Sequence, residues 1–252
     1  MKLLSHLLAA MLACGISAQA GDVHGLLAAQ QQRVRSADFR AVGRLVRVDA
    51  TGTRTSYPIT IKAHWFPGVL RVLVEVSGPA REHILLEMRP DGQNTIRIAH
   101  PGDKTAAALP LANWSDGPLG PGFSYEDFLD AEYFWPGQTA LEPTRLGARD
   151  CDVLKSTPGA ADRTHYAEVK SWLDHGIGFP VYVEKALMNG PVKEFTYVGL
   201  RKNGGVWSAS QVDEKVRGQA GSTLLIVERG SAKANLKAED FAPANILKFQ
   251  DR

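Results

Sequence analysis

Cysteine is scarce in this chain. Only two of the 252 residues are cysteines, and one of them, Cys14, lies in an apolar N-terminal segment. If that segment is removed, Cys151 remains alone and an internal disulfide is excluded. Cys151 stands between Asp150 and Asp152, whose charges disfavour a thiolate. We therefore expect Cys151 to be a small, unreactive core residue in a strand.

An excess of charge is also missing. The chain has 29 Lys and Arg against 27 Asp and Glu, a formal net charge of +2. A nucleic-acid-binding protein needs a clustered basic face, whereas the basic pairs Arg33/Arg35 and Lys215/Arg217 are each interrupted by an apolar residue. We expect no nucleic-acid partner.

Motifs that indicate catalysis are absent as well. The sequence has no G-x-S-x-G turn, no glycine-rich phosphate loop, and no Cys or His pair at metal-ligand spacing. Glu126 and Asp127 are adjacent carboxylates, but adjacent helical positions point in different directions, and a capping role with Ser124 explains Asp127. The sequence therefore predicts a protein that is not an enzyme, with no catalytic residue, cofactor or metal site.

Long apolar runs are confined to the N-terminus. Met1 and Lys2 precede an apolar segment from Leu3 to Ala13, and small residues occupy positions 18 and 20. This pattern predicts a signal peptide over residues 1–20 and a mature chain that works outside the cytoplasm. The segment Met11-Leu12-Ala13-Cys14 resembles a bacterial lipobox, so acylation of Cys14 is the alternative. Nothing later approaches the roughly 18 uninterrupted apolar residues of a transmembrane helix.

The mature chain reads as an antiparallel sheet. Apolar spacing predicts one N-terminal helix, and the alternation that follows, as in Tyr57–Trp65, predicts about eleven strands joined by short turns. Residues 101–138 hold five prolines and break this pattern, although Ser124 and Asp127 predict a short helix through about Phe134. A last short helix is expected around 236–241. We predict a single domain over residues 21–252.

A sheet with one apolar face must cover that face. The face predicted here includes Trp65, Val72, Val74 and Leu86. It is either packed solid by the helices, or curled around a cavity that admits an apolar ligand. Small residues at Ala41, Gly43 and Ala63 favour curvature or room inside.

One segment resembles a known family. Phe123-Ser124-Tyr125-Glu126-Asp127-Phe128 is similar to the F-S-Y-E-D-hydrophobic signature of the outer-membrane lipoprotein-sorting proteins, the LolA-like family. Downstream, Cys151-Asp-Val-Leu154 and the run from Tyr166 to Asp174 resemble the family's cysteine strand and its Y-x-x-V-x-x-W-x-D strand. The segment 94–101 departs from the pattern, because it lacks the aromatics of a W-x-Y-x-P segment.

The resemblance implies an incomplete, half-open barrel covered by short helices, with an apolar cavity that holds acyl chains. It implies a monomeric periplasmic carrier of lipid or lipoprotein, with an RND-type inner-membrane transporter as a possible partner. The insert 101–138 is then a lid. The predicted ligand-binding residues of cavity and lid are Trp65, Val72, Val74, Leu86, Phe123, Tyr125, Phe128 and Trp135. Two alternatives stay open: an anchored acceptor lipoprotein acylated at Cys14, and a sensor or scaffold of the same fold that binds no lipid.

Overall fold

The framework of the protein is one large antiparallel sheet. The computed structural model describes residues 22–79, 81–120 and 122–249, so the predicted signal peptide and Cys14 lie outside the described residues. The strands are β1 Asp38–Val48, β2 Arg54–Phe66, β3 Val69–Val76, β4 Glu82–Met88, β5 Thr95–Ala99, β6 Ala107–Ala108, β7 Gly137–Leu146, β8 Arg149–Thr157, β9 Tyr166–Asp174, β10 Pro180–Leu187, β11 Val192–Val198, β12 Arg201–Asn203, β13 Val206–Ser208, β14 Gln211–Val216 and β15 Ser222–Ser231.

The sheet is curved but not closed. Its strand order is β6-β5-β4-β3-β2-β1-β15-β14-β11-β10-β9-β8-β7, so the first and last long strands, β1 and β15, pair in the middle. The two outer strands, β6 and β7, each pair on one side only within the described chain. This confirms the predicted fold class, an incomplete antiparallel barrel, with thirteen strands in the main sheet where the pattern predicted about eleven.

Alternation along the strands places the core on the concave face. In β2, Ile59, Ile61 and Ala63 are buried, whereas Thr60 and Lys62 between them are only half-buried. Such period-two burial follows from the pleat, which sends successive side chains to opposite faces. The concave face is therefore apolar, as the pattern predicted.

The convex face of β3 and β4 is covered as well. Leu73 and Leu85 point outward but are 0% and 7% exposed, because Phe241 and Ile246 of the C-terminal segment pack on them. This segment begins with a 3-10 turn, Ala238–Phe241, and continues as helix α2, Pro243–Ile246. The predicted short helix around 236–241 is therefore present as a 3-10 turn that ends before Pro243. The sequence did not predict the separate helix that begins at Pro243, where proline is tolerated because the N–H of the first helical turn is not needed.

The N-terminal helix forms as predicted. Helix α1 spans Val23–Arg35 and is capped by Asp22, whose side chain accepts a hydrogen bond from the His24 amide. Gln30 and Val34 are its buried residues. Gln30 donates to the Gly178 carbonyl and Gln31 to the Tyr133 carbonyl, so the helix is fixed across the concave side by polar contacts as well as by packing.

Two other elements differ from the predictions. The helix expected from Ser124 to Phe134 is a pair of 3-10 turns, Tyr125–Phe128 and Ala131–Phe134, separated by extended backbone at Leu129. The alternating run 206–216 predicts one strand, but the structure breaks it after Ser208. Its first part pairs with β12 in a separate two-stranded sheet. This β12–β13 hairpin lies beside the main sheet.

Candidate functional site

A cavity of about 310 Å³, partly open to solvent, lies on the concave face at the middle of the sheet. It is bounded by the end of α1, the insert, the central strands and the β12–β13 hairpin. Most of its wall is apolar. The apolar lining residues include Val34, Ala41, Ile61, Ala63, Leu70, Val72, Phe123, Phe128, Phe179, Phe195, Val212, Leu225 and Val227.

Small residues make room for this cavity. Ala41 and Ala63, which the sequence analysis singled out, both line it and are 9% and 1% exposed. Gly43 has another role. A β-bulge lies between Val42 and Gly43 where β1 meets β15, and a Cβ on Gly43 would lie 1.9 Å from the Ile226 carbonyl oxygen. Bulges bend a strand, so Gly43 contributes curvature and the two alanines contribute space.

The outer part of the concave face is packed solid instead. Val74 and Leu86 are both fully buried in the core beneath the insert, and neither lines the cavity. Both outcomes that the sequence allowed therefore occur, in different places. The face is filled under β3 to β5 and open near β1, β14 and β15.

The predicted site residues separate into two groups. Val72, Phe123 and Phe128 line the cavity. The other five are placed elsewhere: Val74 and Leu86 in the packed core, Trp65 stacked on Phe134 with ring centroids 5.7 Å apart, Tyr125 bonded to Glu82, and Trp135 buried at 4% exposure. The role of all eight residues in ligand binding stays a prediction.

The signature segment attaches the insert to both halves of the sheet. The Tyr125 hydroxyl donates to Glu82 Oε2 on β4 at 3.0 Å. Glu126 accepts hydrogen bonds from the Thr164 hydroxyl and, at 3.1 Å, from the His165 amide, just before β9. Tyr125 and Glu126 therefore hold the insert in place, although the insert itself forms few hydrogen bonds within the sheet.

Asp127 is the most connected of these residues. It accepts hydrogen bonds from the Ser124 amide and hydroxyl at 2.8 and 2.7 Å, which confirms the predicted capping box. It also accepts one from the Tyr166 hydroxyl at 2.5 Å and one from Lys193 Nζ at 2.9 Å. Burial raises the pKa of Asp127, but the charges of Lys193 and Lys185 outweigh it and lower that pKa to about 2. The carboxylate is therefore ionised inside the protein.

One side of the cavity wall is charged. Arg33, Asp127, Asp130 and Lys185 all line it. Arg33 pairs with Asp130 at 2.9 Å and lies over the rings of Tyr133 and Phe179, so it joins α1 to the insert. The sequence analysis did not identify this group. Its signal was present in β10, where Lys185 follows Val181 and Val183 on the buried face of an alternating strand.

Two further acids are buried near this wall. Burial raises the pKa of Glu132 and that of Glu214 to about 7. Cys151 is 2% exposed, which confirms that it is a core residue of a strand. Burial, followed by the charge of Asp174, raises the pKa of its thiol, in keeping with the prediction that it is unreactive. Among the described residues, no three His, Cys, Asp or Glu side chains converge as a metal site would require, and no helix is long and apolar enough to cross a membrane.

The half-open sheet, with the F-S-Y-E-D-F segment held across its concave face, has the architecture of a LolA-like fold. Solved structures of this shape cover most of the chain. An outer membrane lipoprotein-sorting protein domain from Vibrio parahaemolyticus has a TM-score of 0.78 at 20% identity, over 90% of this chain and 100% of that one. A DUF1329 family protein from Desulfovibrio piger has a TM-score of 0.77 at 13% identity, over 88% and 98%. A LolA superfamily protein from Nitrosomonas europaea has a TM-score of 0.66 at 16% identity, over 88% and 98%.

A family model described as "Uncharacterized protein" matches residues 92–248. The chain belongs to this family, and its fold is LolA-like, as the signature segment predicted. No curated protein matches the sequence of this chain.

Proposed function

We propose that this protein is a periplasmic carrier that binds the acyl chains of a lipid or lipoprotein in the central cavity and delivers them toward the outer membrane. The observation that carries the proposal is the cavity itself: about 310 Å³, walled mainly by apolar side chains and reached from solvent. Ligand pockets commonly measure about 300 to 1,000 Å³. The predicted signal peptide, residues 1–20, would place a single domain of residues 21–252 in that compartment.

The affinity would come from desolvation. Each methylene moved from water into an apolar site gains about 0.8 kcal/mol, so one long chain supplies ample binding energy. Release then becomes the difficult step. Phe123 and Phe128 lie on the insert and also line the cavity, so movement of the insert would open the wall that holds the chain.

The insert is attached to the strands mainly by side-chain bonds rather than by a continuous ladder of strand hydrogen bonds. These bonds are the buried ones of Tyr125 to Glu82 and of Asp127 to Lys193, and the half-buried pair Arg33–Asp130. A membrane partner that competes for these groups would loosen the lid. An RND-type transporter is the partner that the sequence resemblance suggests.

Native mass spectrometry of the protein purified from a periplasmic extract tests this function, with denaturing spectra of the same sample. We expect extra mass that disappears on denaturation and whose fragments identify an acyl lipid. Val212→Trp is the matched variant, because Val212 is half-buried and lines the cavity. The larger ring adds no charge and fills the space, so this variant should lose the extra mass.

Other results would contradict the proposal. Extra mass that survives denaturation at an N-terminal Cys14 would identify an anchored lipoprotein. A protein that carries no ligand and binds no added lipid would be the sensor or scaffold.

A further inference from the structure

Among the described residues, Lys185 has no hydrogen-bond partner although it is buried. Its side chain is 5% exposed, and it lines the central cavity. The Oδ1 of Asp127 is 3.8 Å from Nζ, too far for a hydrogen bond. The ammonium also lies over the rings of Tyr166 and Phe195, with centroids 5.4 and 5.3 Å from Nζ, and is within reach of the charge of Glu132.

Its neighbour Lys193 is different. The two lysines are paired in register on β10 and β11, and both side chains point to the concave face. Lys193 donates to the Gly122 carbonyl at 2.8 Å and to Asp127 at 2.9 Å, and it does not line the cavity. The carboxylate of Asp127 therefore lies near two ammonium groups, but it forms a hydrogen bond only with that of Lys193, which does not line the cavity.

An unbonded ammonium on an apolar wall is costly unless something accepts from it. Burial lowers the pKa of Lys185, but the carboxylates of Glu132 and Asp127 outweigh this and raise it, so the group is charged and has three protons to donate. Tyr197 brings a hydroxyl to the same wall, and no other described residue is bonded to it. Two donors on this wall therefore form no hydrogen bond with the described part of the protein, although carboxylates lie nearby.

We propose that Lys185 anchors the oxygen-bearing head of an acyl chain, through a carboxylate or ester carbonyl oxygen, with the chain lying along the apolar wall. The proposal rests on the lipid-binding function proposed above. It defines the ligand as an amphiphile bound with its polar head inside the protein, near Lys185, and its chain extending past Phe128 and Val212. A pure hydrocarbon would leave the ammonium unbonded.

Displacement of a neutral fluorophore, N-phenyl-1-naphthylamine, by palmitic acid or by methyl palmitate tests the anchor. The proteins are the wild type, Lys185→Met, Lys185→Arg and Lys62→Met. Methionine keeps the length of the side chain and removes its donors. We expect Lys185→Met to bind the fluorophore as the wild type does and to lose about tenfold or more in affinity for the acid or the ester, as for a hydrogen bond to a charged group. Lys185→Arg should retain that affinity.

The two ligands separate the sources of the head group. A loss confined to palmitic acid identifies a fatty-acid carboxylate, and a loss with methyl palmitate identifies an ester such as that of a glycerolipid or lipoprotein. Lys62→Met is the matched control, because Lys62 is half-buried, pairs with Glu75 and does not line the cavity. This variant should keep the wild-type affinity for both ligands.

A wild-type measurement covers the case in which Lys185→Met does not fold. The infrared carbonyl stretch of bound methyl palmitate should lie below its value in hexane, because hydrogen bonding weakens the C=O bond. Equal affinities of the wild type and Lys185→Met for both ligands would overturn the anchor and leave the carrier function standing. Where Lys185→Met does not fold, the same conclusion follows from an ester stretch equal to that in hexane together with palmitic acid that binds the wild type no more tightly than methyl palmitate. If no lipid or fluorophore binds the wild type, the carrier function fails, and the anchor with it.

Discussion

Asp127 and Lys193 form an ion pair of 2.9 Å whose side chains are 0% and 5% exposed, and this pair fastens the insert to the second half of the sheet. Lys185 lies 3.8 Å from the same carboxylate. Pairing of this kind carries a large desolvation cost, which the protein offsets by surrounding Asp127 with hydroxyl, amide and ammonium donors. The signature segment therefore fastens the insert to the sheet through Asp127, and its last residue, Phe128, faces the cavity.

Removing the Asp127 charge should destabilise the protein strongly. Asp127→Asn leaves two buried lysines without their shared carboxylate, and breaking one side of a buried ion pair costs about 3 to 5 kcal/mol. Denaturant unfolding measures this loss. Asp130→Asn is the matched control, because the Arg33–Asp130 pair is more exposed, at 23% and 36%, and better screened by water, so we expect a smaller loss there. Equal losses in the two variants would show that the Asp127 cluster is not the anchor.

The buried acid Glu214 should make stability depend on pH. Burial raises its pKa from the ordinary 4.5 to about 7, so the folded state keeps a proton that the unfolded state releases. The contribution of Glu214 to the free energy of unfolding therefore falls as pH rises from 4.5 to 7 and is constant above.

Glu214→Gln removes this dependence. The free energy of unfolding of the variant minus that of the wild type should be larger above pH 7 than below pH 4.5. Thermal unfolding across this range gives the difference curve. Because the comparison is with the wild type, the similar trend expected from Glu132 cancels. A flat difference curve would mean that Glu214 ionises normally in the folded state.

A charge at Phe128 should abolish ligand binding without unfolding the protein. Phe128 is half-buried and lines the cavity, so Phe128→Asp places a carboxylate against the bound chain. Far-UV circular dichroism and fluorophore binding report the two effects separately. Phe134→Asp is the control, since Phe134 is a half-buried aromatic of the same insert that stacks on Trp65 outside the cavity. Loss of the far-UV signal in Phe128→Asp would show that Phe128 is structural.

Cys151 should matter for stability alone. Cys151→Ser buries a hydroxyl in the core at a cost of about 1 to 3 kcal/mol. The residue does not line the cavity, so ligand affinity should be unchanged. Reduced affinity at wild-type stability would contradict the assignment of Cys151 as an inert core residue.

Local patterns predicted much of the fold. Alternation identified strands such as β2 and β9, and the Ser124–Asp127 spacing predicted a capping box that the structure contains. The failures also have physical causes. The apolar and polar residues of 206–216 alternate as they would in one continuous strand, so the pattern does not reveal the break after Ser208. Leu85 points outward and is buried only because a distant C-terminal segment covers it.

The site was less predictable, because its polar part joins residues far apart in the chain. Asp127 meets Lys193 across 66 positions and Tyr166 across 39. The local sequence around Lys185 and Lys193 does not predict that both lie beside Asp127. Aromatic content drew attention to Tyr125 and Trp135, but only the folded chain shows that Tyr125 bonds Glu82 while Phe123 and Phe128 face the cavity.

Photocrosslinking is the most direct test of the claim that an acyl chain occupies the central cavity. The wild-type protein is loaded with a palmitic acid analogue that carries a photoreactive diazirine in its chain, irradiated, digested and mapped by mass spectrometry. The account predicts labels on cavity residues such as Phe128, Phe195 and Val212. Labels confined to the convex face, around Phe241 and Ile246, would contradict it.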